Sequence, residues 1–232
     1  MKPPHLAWSD YICLGIGGRL SHFGEILGMV TLIYNPFVFK SFHQEALANA
    51  PGVISAIREV FPHSVRLADV GCGSGAYAAE AMRKGLFVVA CEYSSHGRRM
   101  ARRQGVKCKV FDLQKWPPVR FDEAIDLSIC FEVAEHLSPE LGDKLVRFIA
   151  NLSPVIIFSA AQSGQIGTGH INPQDPIYWR KKFLAEGCSF NDTLTESLIE
   201  GFIKHKVRSP WFFQNVMVFN QAKTLEAQER KS

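Results

Sequence analysis

The sequence predicts an α/β protein with a doubly wound sheet, and two features of the chain carry this prediction. From about residue 51 to residue 220, short apolar runs alternate with segments of helix-forming residues. Most of the runs are apolar at consecutive positions, which is typical of parallel strands that helices cover on both faces. Ligands of such sheets bind at the carboxyl ends of the strands.

The order of the elements follows from the same pattern. Residues 1–50 are expected to be helical and irregular, and a first helix is predicted over residues 51–60, because Phe61-Pro62 would end it. Strands are predicted over residues 65–70, 86–91, 106–111, 124–130, 155–160 and 213–220, with a short one near residue 189. Helices are predicted over residues 75–84, 139–151, 176–186 and 193–205, with a further helix capped by Ser94 or Ser95.

Length and composition limit the organisation of the protein. The 232 residues suit one domain over residues 51–220, an N-terminal extension 1–50 that would act as a lid, and a polar tail 221–232. Six cysteines without a framework spacing favour reduced thiols and a cytoplasmic protein. The net charge of +4 is mild, so nucleic acid is not an expected partner. The apolar run 26–33 is shorter than the roughly 20 residues that cross a bilayer, so no stable membrane insertion is expected.

A glycine-rich turn follows the first predicted strand. Asp69-Val70 leads into Gly71-Cys72-Gly73-Ser74-Gly75, and helix-forming residues begin directly afterwards. Each glycine removes a Cβ that would block either the sharp turn or a ligand. A strand, a glycine turn and a helix N-terminus together let a ligand approach the backbone closely.

Three acids lie at successive strand ends around this turn. Asp69 precedes it, and Glu92 ends the second strand about twenty residues later, where a carboxylate can accept hydrogen bonds from both ribose hydroxyls. Asp112 ends the third strand, placed to accept from an adenine amino group, with Leu113 available to pack on the ring. The set predicts a nucleoside-binding site.

Together with the later segment Phe131-Glu132-Val133-Ala134-Glu135-His136, these motifs resemble the class I S-adenosylmethionine-dependent methyltransferases. The resemblance extends from about residue 65 to residue 187. It implies a Rossmann-like sheet of seven strands with the last one antiparallel, and methyl transfer from S-adenosylmethionine to an oxygen or nitrogen of a small metabolite or saccharide. By this resemblance, the cofactor is bound by Asp69, Gly71, Cys72, Gly73, Gly75, Glu92, Asp112, Leu113 and Glu132.

The residues after the fourth strand narrow the acceptor chemistry. No Asn-Pro-Pro-Tyr or Asp-Pro-Pro-Tyr segment stands there, which argues against methylation of an adenine or glutamine amino group. Transfer to a hydroxyl needs a base that takes the proton. His136 after strand four and His170 in the loop after strand five are candidate bases, and with Glu135 they are the predicted catalytic residues. The segment from His170 to Gly187 resembles the acceptor wall of small-molecule and glycan-modifying members of the family.

A divalent metal is a further hypothesis. On a helical turn, Glu132, Glu135 and His136 would share one face, and with His170 they could hold Mg²⁺ or another divalent ion. The spacing is similar to that of the ubiquinone-pathway O-methyltransferases and the small-RNA 2′-O-methyltransferases. A metal-assisted RNA 2′-O-methyltransferase is therefore an alternative function. The paired arginines at positions 98, 99, 102 and 103 would support it as a phosphate track, or would simply form a solvated helix face.

Two more alternatives belong to other functional classes. Gly71-x-Gly73-x-x-Ala76 satisfies a relaxed dinucleotide motif, so a nicotinamide-dependent oxidoreductase is one of them. Against it, no second domain remains for a hydride-transfer substrate, and Asp112 has no dinucleotide counterpart. The other alternative is a cofactor-binding protein without catalysis, which the intact set of acids disfavours.

Overall fold

The computed structural model describes residues 36–222, with side chains from residue 40 onward. Within these residues, seven strands form one sheet in the order β3-β2-β1-β4-β5-β7-β6. Six strands are parallel, and β7 is antiparallel to both of its neighbours. The strands are β1 (Arg66–Val70), β2 (Phe87–Glu92), β3 (Cys108–Val110), β4 (Leu127–Phe131), β5 (Val155–Ser159), β6 (Cys188–Phe190) and β7 (Met217–Gln221).

Helices connect the strands, and a short 3₁₀ turn, Ala134–His136, follows β4. The described helices are α1 (Pro36–Val60), α2 (Ala76–Arg83), α3 (Ser95–Arg103), α4 (Pro139–Ala150), α5 (Pro176–Ala185), α6 (Asp192–Lys204) and α7 (Pro210–Asn215). None of the helices in this part of the chain is long and apolar enough to span a membrane.

The sheet has an apolar core on each face. Ile54 of α1 and Phe202 of α6 pack with Ile157 of β5 in one cluster. Ile149 of α4 and Trp179 of α5 pack in a second cluster, which contains other residues of β5. Because neighbouring residues of β5 enter opposite clusters, the sheet is covered on both sides, as the consecutive apolar positions predict.

The strand order places a topological switch point at β1. From this strand the sheet continues through β2 in one direction and through β4 in the other. The crossover connections therefore diverge above the carboxyl end of β1, where a crevice for a ligand forms in folds of this kind. The glycine turn begins at that point.

Most predicted elements are present, with small shifts at their ends. The predicted α/β fold with seven strands and an antiparallel last strand is confirmed, and Ser94 caps α3 by accepting hydrogen bonds from the N–H groups of His96 and Gly97. The first helix is longer than predicted: it begins at Pro36 and continues through Pro51, so it crosses the predicted boundary between residues 50 and 51. The lid predicted for residues 1–50 and the polar tail lie mostly outside the described residues.

The prediction for residues 213–216 was wrong in secondary structure. These residues were assigned to the last strand, but residues 210–215 form α7, and β7 begins at Met217. Pro210 stands in the first turn of this helix, where its missing N–H costs no hydrogen bond. The short helix brings Trp211, Phe212 and Gln214 to the rim of the crevice.

Candidate active site

A cleft of about 790 Å³ opens at the carboxyl ends of β1, β2 and β4. Its walls include the glycine turn, the loop after β5, one side of α1 and the start of α7. Most of the predicted site residues line it: Asp69, Gly71, Cys72, Gly73, Glu92, Asp112, Leu113, Glu132, Glu135, His136 and His170. Gly75 lies at the N-terminus of α2, behind the turn.

The glycines of the turn have different structural tasks. Gly71 has φ +74°, and a Cβ there would lie 2.6 Å from a methyl group of Val133. Gly75 has φ +77°, and a Cβ there would lie 2.8 Å from Cβ of Ala101 on α3. Gly73 also has positive φ, but no atom lies within 4 Å of its Cβ position. Gly71 and Gly75 therefore allow close packing, whereas Gly73 leaves open space on the cleft side of the turn.

The carboxylate of Glu92 ties the glycine turn to the end of β2. Its Oε2 accepts a hydrogen bond of 3.0 Å from the N–H of Gly73, and its Oε1 accepts one of 2.6 Å from the N–H of Ser94. Burial raises the pKa of Glu92, while these N–H donors lower it. Each carboxylate oxygen retains a further lone pair, so ribose hydroxyls fit this group.

Asp69 is buried beneath the turn and lacks one hydrogen bond. It is 3% exposed, and its Oδ2 has no partner among the described residues. Burial and the nearby charge of Glu92 raise the pKa of Asp69 to about 7. A buried carboxylate of this kind is stabilised by a cationic ligand, and the amino group of S-adenosylmethionine has that charge.

The third acid lies farther along the cleft. Oδ1 of Asp112 accepts a hydrogen bond of 3.1 Å from the N–H of Gln114, and its Oδ2 lies 3.3 Å from Nζ of Lys115. Leu113, beside it, is buried and lines the cleft. A carboxylate next to an apolar surface fits an adenine ring, which needs one acceptor and one stacking face.

Cys72 contacts Cys108 with its thiol at 3.4 Å, within the core beside α3.

Glu132 stands where β4 ends, in an unusual backbone conformation. Its φ is +53°, which is uncommon for a residue other than glycine. Its N–H donates to the carbonyl of Ser159 at 3.0 Å, and its carboxylate accepts from Nδ2 of the buried Asn215 at 3.3 and 3.4 Å. Burial raises the pKa of Glu132. Strain of this kind in non-glycine residues clusters at functional sites.

The two candidate histidines, His136 and His170, lie next to each other in the cleft. Their ring centroids are 5.0 Å apart, and each Nδ1 lies 2.9 Å from a backbone carbonyl, that of Gly169 for His136 and that of Gln165 for His170. Because a carbonyl only accepts, each Nδ1 carries a hydrogen, and in the neutral form of either ring Nε2 carries the lone pair. Burial and the neighbouring His170 lower the pKa of His136 to about 4, so this imidazole is neutral at pH 7.

Glu135 is the third residue of this group. It is fully buried, and neither carboxyl oxygen has a hydrogen-bond partner within the described part of the chain. Burial and the charge of Glu132 raise its pKa well above the usual range. Ligand atoms of Glu135, His136 and His170 all lie within 4.8 Å of one another.

The predicted helical turn that would add Glu132 to this group is not formed. Residues 134–136 form a 3₁₀ turn, Glu132 has a left-handed backbone, and its carboxylate accepts from Asn215 instead. One carboxylate and two imidazoles remain. This donor set fits Zn²⁺, Mn²⁺ or Fe²⁺ better than Mg²⁺, which prefers oxygen ligands.

Comparisons with known proteins support the resemblance to methyltransferases. The profile of a family described as a methyltransferase domain matches residues 68–156. No curated protein sequence matches the chain. Among solved structures, an amino pentose methyltransferase from Micromonospora echinaspora, involved in calicheamicin biosynthesis, is similar with 16% sequence identity and a TM-score of 0.59, over 79% of this chain and 96% of that one.

Two further structures have the same fold. A magnesium protoporphyrin IX methyltransferase from Synechocystis PCC 6803 is 16% identical, with a TM-score of 0.58 over 81% of this chain and 88% of that one. An O-methyltransferase family protein from Burkholderia thailandensis is 13% identical, with a TM-score of 0.61 over 92% of this chain and 68% of that one. Residues 68–156 carry a methyltransferase domain, and the chain has the fold of S-adenosylmethionine-dependent methyltransferases. The enzyme is therefore a methyltransferase, and the nicotinamide-dependent and non-catalytic hypotheses are set aside.

Sequence reasoning missed several residues of the methyltransferase's cleft. Glu45 of α1, Tyr77 of α2, Gln165 and Gln214 all line it, and Asn215 orients Glu132 from α7. These residues belong to no local motif, and they meet only when distant segments pack. The positive φ of Glu132 is likewise not visible in the sequence.

The arginine-rich helix α3 of the methyltransferase supports β2 in part. Nη1 of Arg98 donates to the carbonyls of Glu92, at 2.9 Å, and Tyr93, so this arginine caps the end of the strand. Arg99, Arg102 and Arg103 are exposed on the outer side of the helix. For Arg98, the contacts favour a structural role over a phosphate track.

Proposed function

We propose that the methyltransferase transfers the methyl group of S-adenosylmethionine to an oxygen or nitrogen of a small metabolite or saccharide. One observation carries this proposal: the glycine turn with its acids and the two histidines open into the same cleft. In this assignment Asp69 and the backbone of residues 71–75 hold the methionine end of the cofactor, Glu92 holds the ribose, and Asp112 with Leu113 holds the adenine. Glu132 neighbours the reacting end.

A small acceptor agrees with the size of the cleft and with the structural neighbours. About 790 Å³ has to contain both the cofactor and the acceptor. The names of the neighbouring structures include an amino pentose methyltransferase and a sugar N-methyltransferase. An acceptor of saccharide size is the corresponding proposal for this chain.

The histidines supply the base that a hydroxyl or ammonium acceptor needs. With Nδ1–H donating to a backbone carbonyl, Nε2 of His170 or His136 can take a proton from the acceptor. The acceptor atom then attacks the methyl carbon in line with the sulfur, and the electron pair of the carbon–sulfur bond stays on sulfur. Ligand atoms of Glu135 and of both imidazoles lie within 4.8 Å of one another, so Glu135 in its ionised form would stabilise the imidazolium that results.

A divalent metal is a second way in which the same residues could act. Glu135, His136 and His170 would hold the ion, and the unpartnered carboxyl oxygens of Glu135 fit a ligand role. A bound metal would lower the pKa of an acceptor hydroxyl and position it.

Titration calorimetry with S-adenosylmethionine and S-adenosylhomocysteine tests the cofactor assignment. We expect one-to-one binding of both. A parallel assay of methyl transfer from labelled S-adenosylmethionine to a panel of sugars, amino sugars and phenols tests the reaction. Loss of transfer on treatment with EDTA, restored by Mn²⁺ or Zn²⁺, would support the metal-assisted form, and full activity in EDTA would support the histidine base. Absence of cofactor binding would contradict the proposal.

A further inference from the structure

The acceptor half of the cleft is acidic, and the described residues that line it include no lysine and no arginine. We use this name for the part lined by Glu45, Tyr77, Phe131, Glu132, Glu135, His136, His170, Trp211 and Phe212. Three of these are carboxylic acids, and none of the described residues that line the whole cleft is a lysine or an arginine. This contrasts with the net charge of +4 of the chain. A phosphate or carboxylate on the acceptor would find no lysine or arginine among these described residues.

Glu45 is held in place on the acceptor side by a chain of hydrogen bonds. Its Oε1 accepts from Oγ of Ser209 at 2.5 Å, and that oxygen in turn accepts from Nδ2 of Asn49 at 2.5 Å. Oδ1 of Asn49 accepts from the N–H groups of Arg208 and Ser209 at 2.8 and 3.1 Å. Glu45 forms no ion pair with any of the described residues. A carboxylate is thus positioned at the cleft without a cation.

Glu45 and Glu132 face the same space and repel each other. The charge of Glu132 raises the pKa of Glu45 beyond the effect of burial. Burial raises the pKa of Tyr77 well above the usual range, and both charges add to this effect. The ring of Tyr77 packs edge-on to Phe131 at the end of β4. A cation bound near both carboxylates would relieve this repulsion.

The remaining wall of the acceptor half is aromatic. Phe131 lies edge-on to Phe212 at 5.3 Å and to Tyr77 at 5.4 Å between ring centroids. Trp211 lines the cleft beside them. Aromatic faces bind both apolar ring surfaces and cations.

We propose that the acceptor is a small amine with an apolar face, and that Glu45 and Glu132 select it through its ammonium group. This inference rests on the proposed function and makes it specific. The selection of the ammonium group uses Glu45 and Glu132 alone, whereas the proton transfer that follows uses the histidines without a metal.

Methyl transfer to such an amine accounts for every proton, electron pair and charge. The bound ammonium first gives one proton to Nε2 of His170 or His136. The nitrogen lone pair then forms the new nitrogen–carbon bond while the carbon–sulfur bond breaks with its electron pair on sulfur. The products are a methylammonium and the neutral thioether, so the positive charge passes from sulfur to the nitrogen that Glu45 and Glu132 face.

Calorimetry on the complex with S-adenosylhomocysteine tests the selection with three probes of similar shape: benzylamine, benzyl alcohol and benzoate. We expect benzylamine to bind about tenfold more tightly than benzyl alcohol, the contribution of one charge-assisted hydrogen bond, and benzoate to bind most weakly. Glu45→Gln should remove most of this preference. Glu59→Gln, on the same helix but in a surface ion pair with Lys204, should keep it.

Equal or tighter binding of benzyl alcohol or benzoate, or no binding of any probe, would overturn the proposal, as would an unchanged preference in Glu45→Gln. The wild-type preference needs no variant to fold, so it decides the matter by itself if Glu45→Gln is unstable. Binding of S-adenosylhomocysteine is measured first. If that fails, the cofactor assignment is contradicted, and the result is distinguishable from failure of the amine proposal.

Discussion

The cofactor half of the cleft, lined by the glycine turn, Glu92 and Asp112, and the acceptor half are built in different ways. In the cofactor half, Glu92 is tied by backbone N–H groups to Gly73 and to Ser94, residues within twenty positions of it. In the acceptor half, Glu45 accepts a hydrogen bond from Ser209, and Glu132 accepts one from Asn215. The first half is local in sequence and the second is assembled from segments far apart. A substitution in one half should therefore impair the function of that half and leave the other half intact.

The largest effect should come from displacing His170 without touching the cofactor half. A Cβ at Gly167 would lie 2.3 Å from the His170 ring, so Gly167→Ala moves the imidazole. We expect turnover to fall by about a thousandfold, within the range that a general base contributes, with unchanged affinity for S-adenosylhomocysteine. Methyl-transfer kinetics and calorimetry measure the two quantities. Gly164→Ala, in the same loop, adds backbone strain at φ +86° but meets no atom within 4 Å, so it controls for a disturbed loop without a contact to the imidazole. Unaltered turnover in Gly167→Ala would remove His170 from the mechanism.

The opposite pattern is expected at the glycine turn. Gly71→Ala places a methyl group 2.6 Å from Val133 at a positive φ. Overpacking and backbone strain together should lower cofactor affinity by about a hundredfold. Gly85→Ala has a similar φ of +82° but open space around it, so it should leave the affinity unchanged. Wild-type affinity in Gly71→Ala, measured by calorimetry, would show that the turn does not hold the cofactor.

The same difference explains how much of each half the sequence predicts. The turn 71–75, Glu92 and Asp112 are recognisable because strand ends and their motifs lie close together along the chain. Glu45 was missed because it lies on a helix that was predicted to begin only at residue 51. A proline such as Pro51 is typical of a helix start, but here the helix continues through it. Asn215 was missed because the aromatic run 211–213 has strand-like composition, whereas tertiary packing makes it helical.

The stability of the protein at acidic pH reports on the acceptor half. His136 has a pKa of about 4 in the folded protein, below the ordinary 6.5, so the unfolded chain takes up its proton first as the pH falls. The stabilisation is complete above about pH 6.5 and is lost towards pH 4. Between pH 7 and pH 5 we expect a loss of about 2 kcal/mol in the free energy of unfolding from this group. Urea denaturation at both pH values measures it.

The matched variants isolate this contribution. His136→Gln should make the loss between the two pH values smaller by the same amount, whereas His63→Gln, at an exposed position, should behave as the wild type does. An identical pH dependence in the wild type and in His136→Gln would contradict a neutral, desolvated His136.

A smaller effect is expected at the adenine end of the cofactor half. Asp112→Ala removes the carboxylate that we assign to the adenine amino group, and about tenfold weaker binding of S-adenosylmethionine should follow from the loss of one such hydrogen bond. Asp122→Ala removes an exposed carboxylate 3.8 Å from Lys109 and serves as the control. Equal affinities of the two variants by calorimetry would place the adenine elsewhere.

The most direct test of the two-part cleft is a crystal structure of the complex with S-adenosylhomocysteine. We expect the adenine beside Asp112 and Leu113, the ribose hydroxyls within hydrogen-bond distance of Glu92, and the amino group near Asp69. We also expect the sulfur to face His136, His170 and Glu45 across an open space of acceptor size. A cofactor bound outside the glycine turn, or one that fills the space in front of the two histidines, would contradict the division of the cleft into these two halves.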